Sequence, residues 1–124
     1  MTKQIMIVDD ERGVRQLFGT LLRRAGFKVL EAQDAAEALE ILQEEKPDLF
    51  ILDIMMPGMN GLELCQRIRT CPKTAHTPVF ILSARSTSED IEKGLRAGAD
   101  EYLVKPIMPR EFLLKIQDAL GADR

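Results

Sequence analysis

The stretch LFILDIMMPG, residues 49–58, decides the fold: four consecutive apolar residues, then an aspartate, then a Pro-Gly turn. An unbroken apolar run, rather than an alternating one, is the pattern of a strand buried on both faces of a parallel sheet. Asp53 interrupts this longest apolar stretch (49–56) and Pro57 stops it, so no segment is suited to cross a bilayer. Similar short runs occur at 5–8, 79–82 and 102–104, with a weaker one at Val29 and Leu30. Helix-period segments separate them. Val14, Leu17, Phe18, Leu21, Leu22 and Ala25 stripe a first helix, with Gly26 placed to end it. Ala38, Leu39 and Leu42 stripe a second, ended by Lys46 and Pro47. Leu64, Cys65 and Ile68 stripe a third behind Asn60 as N-cap, and Ile91 and Leu95 a fourth closed by Gly98. Phe112, Leu113, Ile116 and Leu120 stripe a fifth, opened by Pro109 and closed by Gly121, its end reaching 121–124. Five strand-then-helix units imply an α/β sheet covered by helices on both faces and joined by right-handed crossovers.

Composition narrows the chemistry. The 124 residues fit one domain, read as spanning 1–124, large enough to fold without disulfide or metal staples. Lysine and arginine number 17 against 20 acids, a net charge of -3 that argues against a nucleic-acid-binding module. One histidine and two cysteines exclude a multi-His or multi-Cys zinc site. Cys65 and Cys71 form no CxxC pattern, and the opening MTKQIMIVDDE has too short an apolar run for a signal peptide. A cytoplasmic protein with reduced thiols is expected.

In sheets of this kind ligands gather beyond the carboxyl ends of the strands. Asp9 and Asp10 end the first strand, followed by Glu11 at the helix start; Asp53 ends the third, Ser83 the fourth and Lys105 the fifth. Like charges about 4 Å apart repel by roughly 4 kcal/mol at an effective dielectric near 20, so crowded carboxylates must take up protons or bind cations. One lysine cannot balance Asp9, Asp10 and Asp53. Mg²⁺, which takes few protein oxygens and keeps room for water or phosphate, is the natural complement. An aspartate beside Mg²⁺ and lysine can attack phosphorus to give an aspartyl phosphate, with Ser83 donating a hydrogen bond. Read alone, Asp9 and Asp10 fit capping of the first helix equally well. Lys105 alone fits a solvated strand end, Ser83 a turn hydroxyl and Tyr102 half-buried strand filler.

Four segments, IVDDE (7–11), LDIMMPGMNG (52–61), PVFILSA (78–84) and GADEYLVKP (98–106), occur in an order and spacing that resemble the receiver domain of two-component response regulators over essentially the whole chain. The resemblance implies a doubly wound (βα)5 flavodoxin-like sandwich with strand order 2-1-3-4-5. It implies that Asp53 accepts a phosphoryl group from a phosphohistidine on a histidine kinase or histidine phosphotransfer protein. Asp9 or Asp10, directly or through water, would help hold Mg²⁺ with Asp53 and the backbone carbonyl of Met55. Lys105 would pair with the phosphoryl group, Ser83 would move to bond it, and Tyr102 would rotate inward behind it. The face of the fourth helix, fifth strand and fifth helix would then change and act on an effector protein or domain. The Lys105–Pro106 bond is expected to be cis. Such a protein is a signalling phosphoprotein that catalyses only its own phosphorylation and dephosphorylation, not a turnover enzyme.

Some positions depart from the family's commoner pattern. Ser83 stands where threonine is more frequent, and Asn60 where aspartate is. Met55 and Arg85, two residues beyond Asp53 and Ser83, occupy positions that in the family tune water access, and a long thioether and a cation there imply slow self-dephosphorylation. Met55, Met56 and Met59 otherwise read as loop and groove packing, and Gly58 and Gly61 as bland turn and helix-start residues. His76 sits in a loop unsuited to carry phosphate, so the donor histidine must come from another protein. Asp100, Glu101, Glu111 and Lys115 are compatible with a phosphorylation-linked homodimer, although Ile91 is apolar. The sequence fits a stand-alone receiver or the receiver part of a longer chain. Two other classes compete. A Mg²⁺-dependent phosphatase with an Asp nucleophile would carry a second acid at position 55 and a cap domain, and a flavin-binding module on the same architecture is disfavoured by the acidic strand edge and the absence of tryptophan.

Overall fold

In the computed structural model, which describes residues 2–121, strands and helices alternate. The strands are β1 (Gln4–Val8), β2 (Lys28–Ala32), β3 (Leu49–Leu52), β4 (Val79–Ser83) and β5 (Glu101–Val104). The helices are α1 (Arg12–Arg24), α2 (Ala35–Ile41), α3 (Gly61–Thr70), α4 (Ser88–Arg96) and α5 (Pro109–Ala119). All pairings are parallel, in the order β2-β1-β3-β4-β5. That is the doubly wound flavodoxin-like sandwich expected. The fifth helix ends at Ala119, with Leu120 as its C-cap and Gly121 following at φ 74°; residues 122–124, expected to belong to that close, lie outside the described residues.

Period-2 alternation along the strands builds two cores. Met6, Val8, Phe50, Leu52 and Ile81 pack with Ala35, Ala38, Leu64, Cys65 and Ile68 on the α2–α3–α4 side. Ile5, Ile7, Leu49, Ile51, Phe80, Leu82 and Leu103 pack with Phe18, Leu22, Phe112 and Ile116 on the α1–α5 side. There the rings of Phe18 and Phe112 meet tilted at a centroid distance of 4.7 Å, the offset geometry aromatic pairs prefer. None of the described helices is long and apolar enough to cross a membrane.

Local signals set the helix ends. Gly26 and Gly98, at φ of 98° and 114°, end α1 and α4. In each, the next residue's N–H reaches back to the helix, Phe27 to Leu22 at 3.0 Å and Ala99 to Gly94 at 3.2 Å, which is the Schellman motif. Asn60 and Glu63 form a capping box at α3. Asp34 caps α2 by accepting from Glu37 N–H. That helix ends at Leu42, well before Lys46 and Pro47, because the chain continues as hydrogen-bonded turns through Glu45.

Two expected core positions are not core. Leu17 is 56% exposed and Leu95 47% exposed, and α4 fully buries only Gly94. A helical stripe marks an apolar face, but only the neighbouring elements decide how much of it is covered. Gly61 is also more than a bland helix start. A Cβ on it would lie 2.8 Å from the Asp53 carbonyl carbon and 2.9 Å from Ile54 Cα, and would overlap the carbonyl oxygen. The α3 terminus is therefore pressed onto the backbone carrying Asp53.

Gly61→Ala should lower stability by about 1–3 kcal/mol, the usual cost of overpacking. Gly13→Ala in α1, with open space around its Cβ, should instead be neutral or slightly stabilising. Urea denaturation midpoints of the two variants check the contrast.

Candidate functional site

Parallel register brings the strand-end residues together. Val8 pairs with Leu52 and Ser83 with Val104. The ladder continues one step further, with Asp53 N–H on Val8 O at 2.9 Å, Asp9 N–H on Ala32 O at 3.1 Å and Lys105 N–H on Ser83 O at 2.8 Å. Asp9, Asp53 and Ser83 are buried at this edge, whereas Asp10 is exposed. One carboxylate oxygen from each of Asp9, Asp10 and Asp53 lies within 4.8 Å of the others. Lys105 Nζ donates to Asp9 Oδ2 at 3.0 Å and stands 4.0 Å from Asp53 Oδ2. The Lys105–Pro106 peptide is cis.

Glu11, not Asp9 or Asp10, occupies the N-cap of α1, and its side chain makes no capping bond. Asp9 Oδ1 instead accepts from Glu11 N–H at 2.9 Å, while Oδ2 faces Lys105. Sequence reasoning missed Arg15. Its guanidinium donates to the Asp9 carbonyl at 2.7 Å and lies 3.5 Å from Glu31 of β2. Nothing in the local pattern singles it out from its neighbouring arginines, because its partner is on another strand.

The cluster carries three carboxylates against one ammonium. Burial pushes the Asp53 carboxyl up from its ordinary 3.8 to about 6. The Asp9 charge contributes to that rise, while Lys105 and the backbone amides of Met55 and Ile54 oppose it. The donor set is all oxygen, two of its members are buried, and its charge is only partly compensated by Lys105, so this acidic pocket fits a hard divalent cation. Among the described residues, no comparable group of histidine, cysteine or carboxylate ligands forms elsewhere.

Beside the pocket, Ser83 Oγ accepts from Arg85 N–H at 3.1 Å, and the Tyr102 hydroxyl donates to the Arg85 carbonyl at 2.8 Å. The ring of Tyr102 packs over Gly94, where an added Cβ would stand 2.7 Å from Cδ2. Burial raises the Tyr102 phenol, and its contact with Ser83 lowers it. Met55 is 54% exposed at the mouth of the pocket, with Arg85 Nε 3.4 Å from its sulfur. His76 lies exposed in the loop before β4, away from this edge.

Residues 5–117 match the family model for the response regulator receiver domain. The phosphate regulon transcriptional regulatory protein PhoB of Pseudomonas aeruginosa is 37% identical over 95% of the chain, which covers 52% of that protein. The alkaline phosphatase synthesis transcriptional regulatory protein PhoP of Bacillus subtilis is 38% identical over 97% of the chain and 49% of its own length. The chain thus spans about half the length of these curated relatives. The chemotaxis protein CheY4 of Vibrio cholerae superposes with a TM-score of 0.92 at 32% identity, covering 97% of this chain and all of that one.

The raised Asp53 carboxyl has a consequence for stability. The folded state binds this proton more tightly than the unfolded chain, so the carboxylate weakens the fold above about pH 6. The penalty is relieved as pH falls from 6 towards 3.8. Asp53→Asn should therefore stabilise the cation-free protein at pH 7.5 by up to about 3 kcal/mol, two pKa units at 1.36 each. The gain should shrink towards zero near pH 4. Thermal unfolding at the two pH values checks this, and an equal gain at both would count against burial as the cause.

Proposed function

The chain belongs to the response regulator receiver domain family, and from that premise we propose that Asp53 is its phosphoryl acceptor. Members of this family are phosphorylation-activated signalling switches of two-component systems, and this is the general function of the chain. The observation that carries the acceptor assignment is the buried Asp53 flanked by Asp9, Asp10 and the Lys105 ammonium.

Asp9, Asp10, Asp53 and the backbone carbonyl of Met55 would hold Mg²⁺, which when bound supplies positive charge to the phosphoryl oxygens. A carboxylate oxygen of Asp53 attacks the phosphorus of a phosphohistidine on a histidine kinase or phosphotransfer protein. The P–N bond breaks with its electron pair passing to the imidazole, which leaves neutral if its other nitrogen carries the proton. Lys105 is close enough to shift from Asp53 towards the transferred group. Ser83 has its oxygen committed to Arg85 N–H, which leaves its hydroxyl proton to donate. Tyr102 bonds the same residue, Arg85, through its carbonyl, so a displaced Ser83 is sensed at β5 and on to the α4–β5–α5 face. That face is the proposed output surface towards an effector protein or domain, and a phosphorylation-linked homodimer through it is part of the proposal. Hydrolysis of the aspartyl phosphate, also self-catalysed, resets the switch. Residues 1–124 form one receiver domain in this reading, which binds no nucleic acid itself. The free thiols of Cys65 and Cys71 favour a cytoplasmic setting.

Incubation with acetyl phosphate and Mg²⁺ should add one phosphoryl group, seen by intact mass. Asp53→Asn or a chelator should abolish it, and persistent labelling of Asp53→Asn would refute the acceptor. Met55→Asn should speed loss of the group several-fold, because the exposed thioether at the pocket mouth obstructs water. An unchanged half-life would remove Met55 from that role.

A further inference from the structure

The Arg85 guanidinium is held by a weak thioether contact and one charge. Its Nε lies 3.4 Å from Met55 Sδ and its NH1 3.6 Å from Asp90 Oδ1. Among the described residues Asp90 is its only ion-pair partner. Asp90 itself is firmly fixed: Oδ2 accepts from the Thr87 hydroxyl at 2.7 Å, and Thr87 Oγ1 accepts from Asp90 N–H at 3.0 Å at the start of α4. The Asp90 side chain is 18% exposed, the Arg85 side chain 51%. The mobile member of the pair is therefore the guanidinium, and Met55 beneath it follows Asp53 by two residues.

We propose that Asp90 is a positioning residue of the phosphoryl site, holding Arg85 in reserve and competing with the phosphoryl group on Asp53 for its guanidinium. This rests on Asp53 as the acceptor. A phosphoryl dianion offers three oxygens and a larger charge than a carboxylate, and arginine can bond two of those oxygens at once. Arg85 therefore moves to the phosphoryl group, but the net gain is reduced by the pair it leaves. Neutralising Asp90 removes the competitor. The carbonyl oxygen of an Asn at that position still accepts from Thr87, so the start of α4 is kept.

The experiment uses beryllofluoride, which binds an acceptor carboxylate as a phosphoryl stand-in, together with the half-life of the phosphoryl group loaded from acetyl phosphate. Asp90→Asn should tighten beryllofluoride binding about two- to fivefold, the scale of a half-exposed ion pair, and lengthen the half-life in the same direction. Asp90→Glu, which keeps the charge, should stay close to wild type. In an Arg85→Ala background Asp90→Asn should change neither quantity. An equal effect in both backgrounds, or none with Arg85 present, overturns the proposal. An Asp53→Asn protein that still binds beryllofluoride or takes up phosphate would overturn the acceptor reading instead.

Discussion

Asp9 and Asp53 are buried side by side with the Lys105 ammonium reaching both, 3.0 Å from one and 4.0 Å from the other. Two such carboxylates repel by several kcal/mol at the dielectric of a protein edge, and a single lysine offsets only part of it. The sheet cannot relieve the strain by sliding. A one-residue slip of β1 against β3 would turn both cores inside out, and the Asp53 N–H is bonded to the Val8 carbonyl at the last rung. Two hydrophobic layers thus hold a charge arrangement that is unfavourable by itself. The raised carboxyl of Asp53 and the fit to a hard cation have this common origin.

Support around the cluster is unevenly distributed. On the β1–β3 side, Arg15 ties the Asp9 carbonyl to Glu31, and α3 presses Gly61 onto the Asp53 backbone while burying Gly61, Leu64, Cys65 and Ile68. On the β4–β5 side, α4 fully buries only Gly94 and leaves Leu95 half in solvent. Elements with few buried contacts are those that shift at least cost. Ser83, Arg85 and Tyr102 all stand between the stiff carboxylate edge and this lightly anchored helix. A rigid carboxylate edge beside a loosely held helix suits the proposed phosphorylation switch.

What the sequence revealed was what local physics decides. Continuous apolar runs located the strands to within a residue or so, because burial on both sheet faces leaves no polar alternation. Gly26 and Gly98 marked helix ends because their positive φ suits glycine best, and Asn60 announced a capping box through Glu63 three residues on. Aspartates at strand ends were legible because parallel strands bring their carboxyl ends to one edge. The strand order came from family resemblance, since no pattern in the chain encodes which strand neighbours which. Exposure of Leu17 and Leu95 was illegible for the same reason. Arg15 with Glu31, Gly61 against Asp53 and Arg85 with Met55 are contacts between elements, so no single window of sequence contains them.

Arg85 shows how charge chemistry can become a change of shape. Its N–H is bound to Ser83 Oγ and its carbonyl to the Tyr102 hydroxyl, while its side chain reaches Met55 at the pocket and Asp90 in the first turn of α4. A ligand shifts an equilibrium only by its differential interaction with the two states. A phosphoryl group on Asp53 would acquire that differential if Ser83 and the Arg85 guanidinium meet it in one state and not in the other. Both belong to the same three-residue segment, so moving either strains or releases the Tyr102 bond. Because Tyr102 rests on Gly94, the one residue α4 fully buries, the proposed readout would fall on the helix with the least packing to resist it.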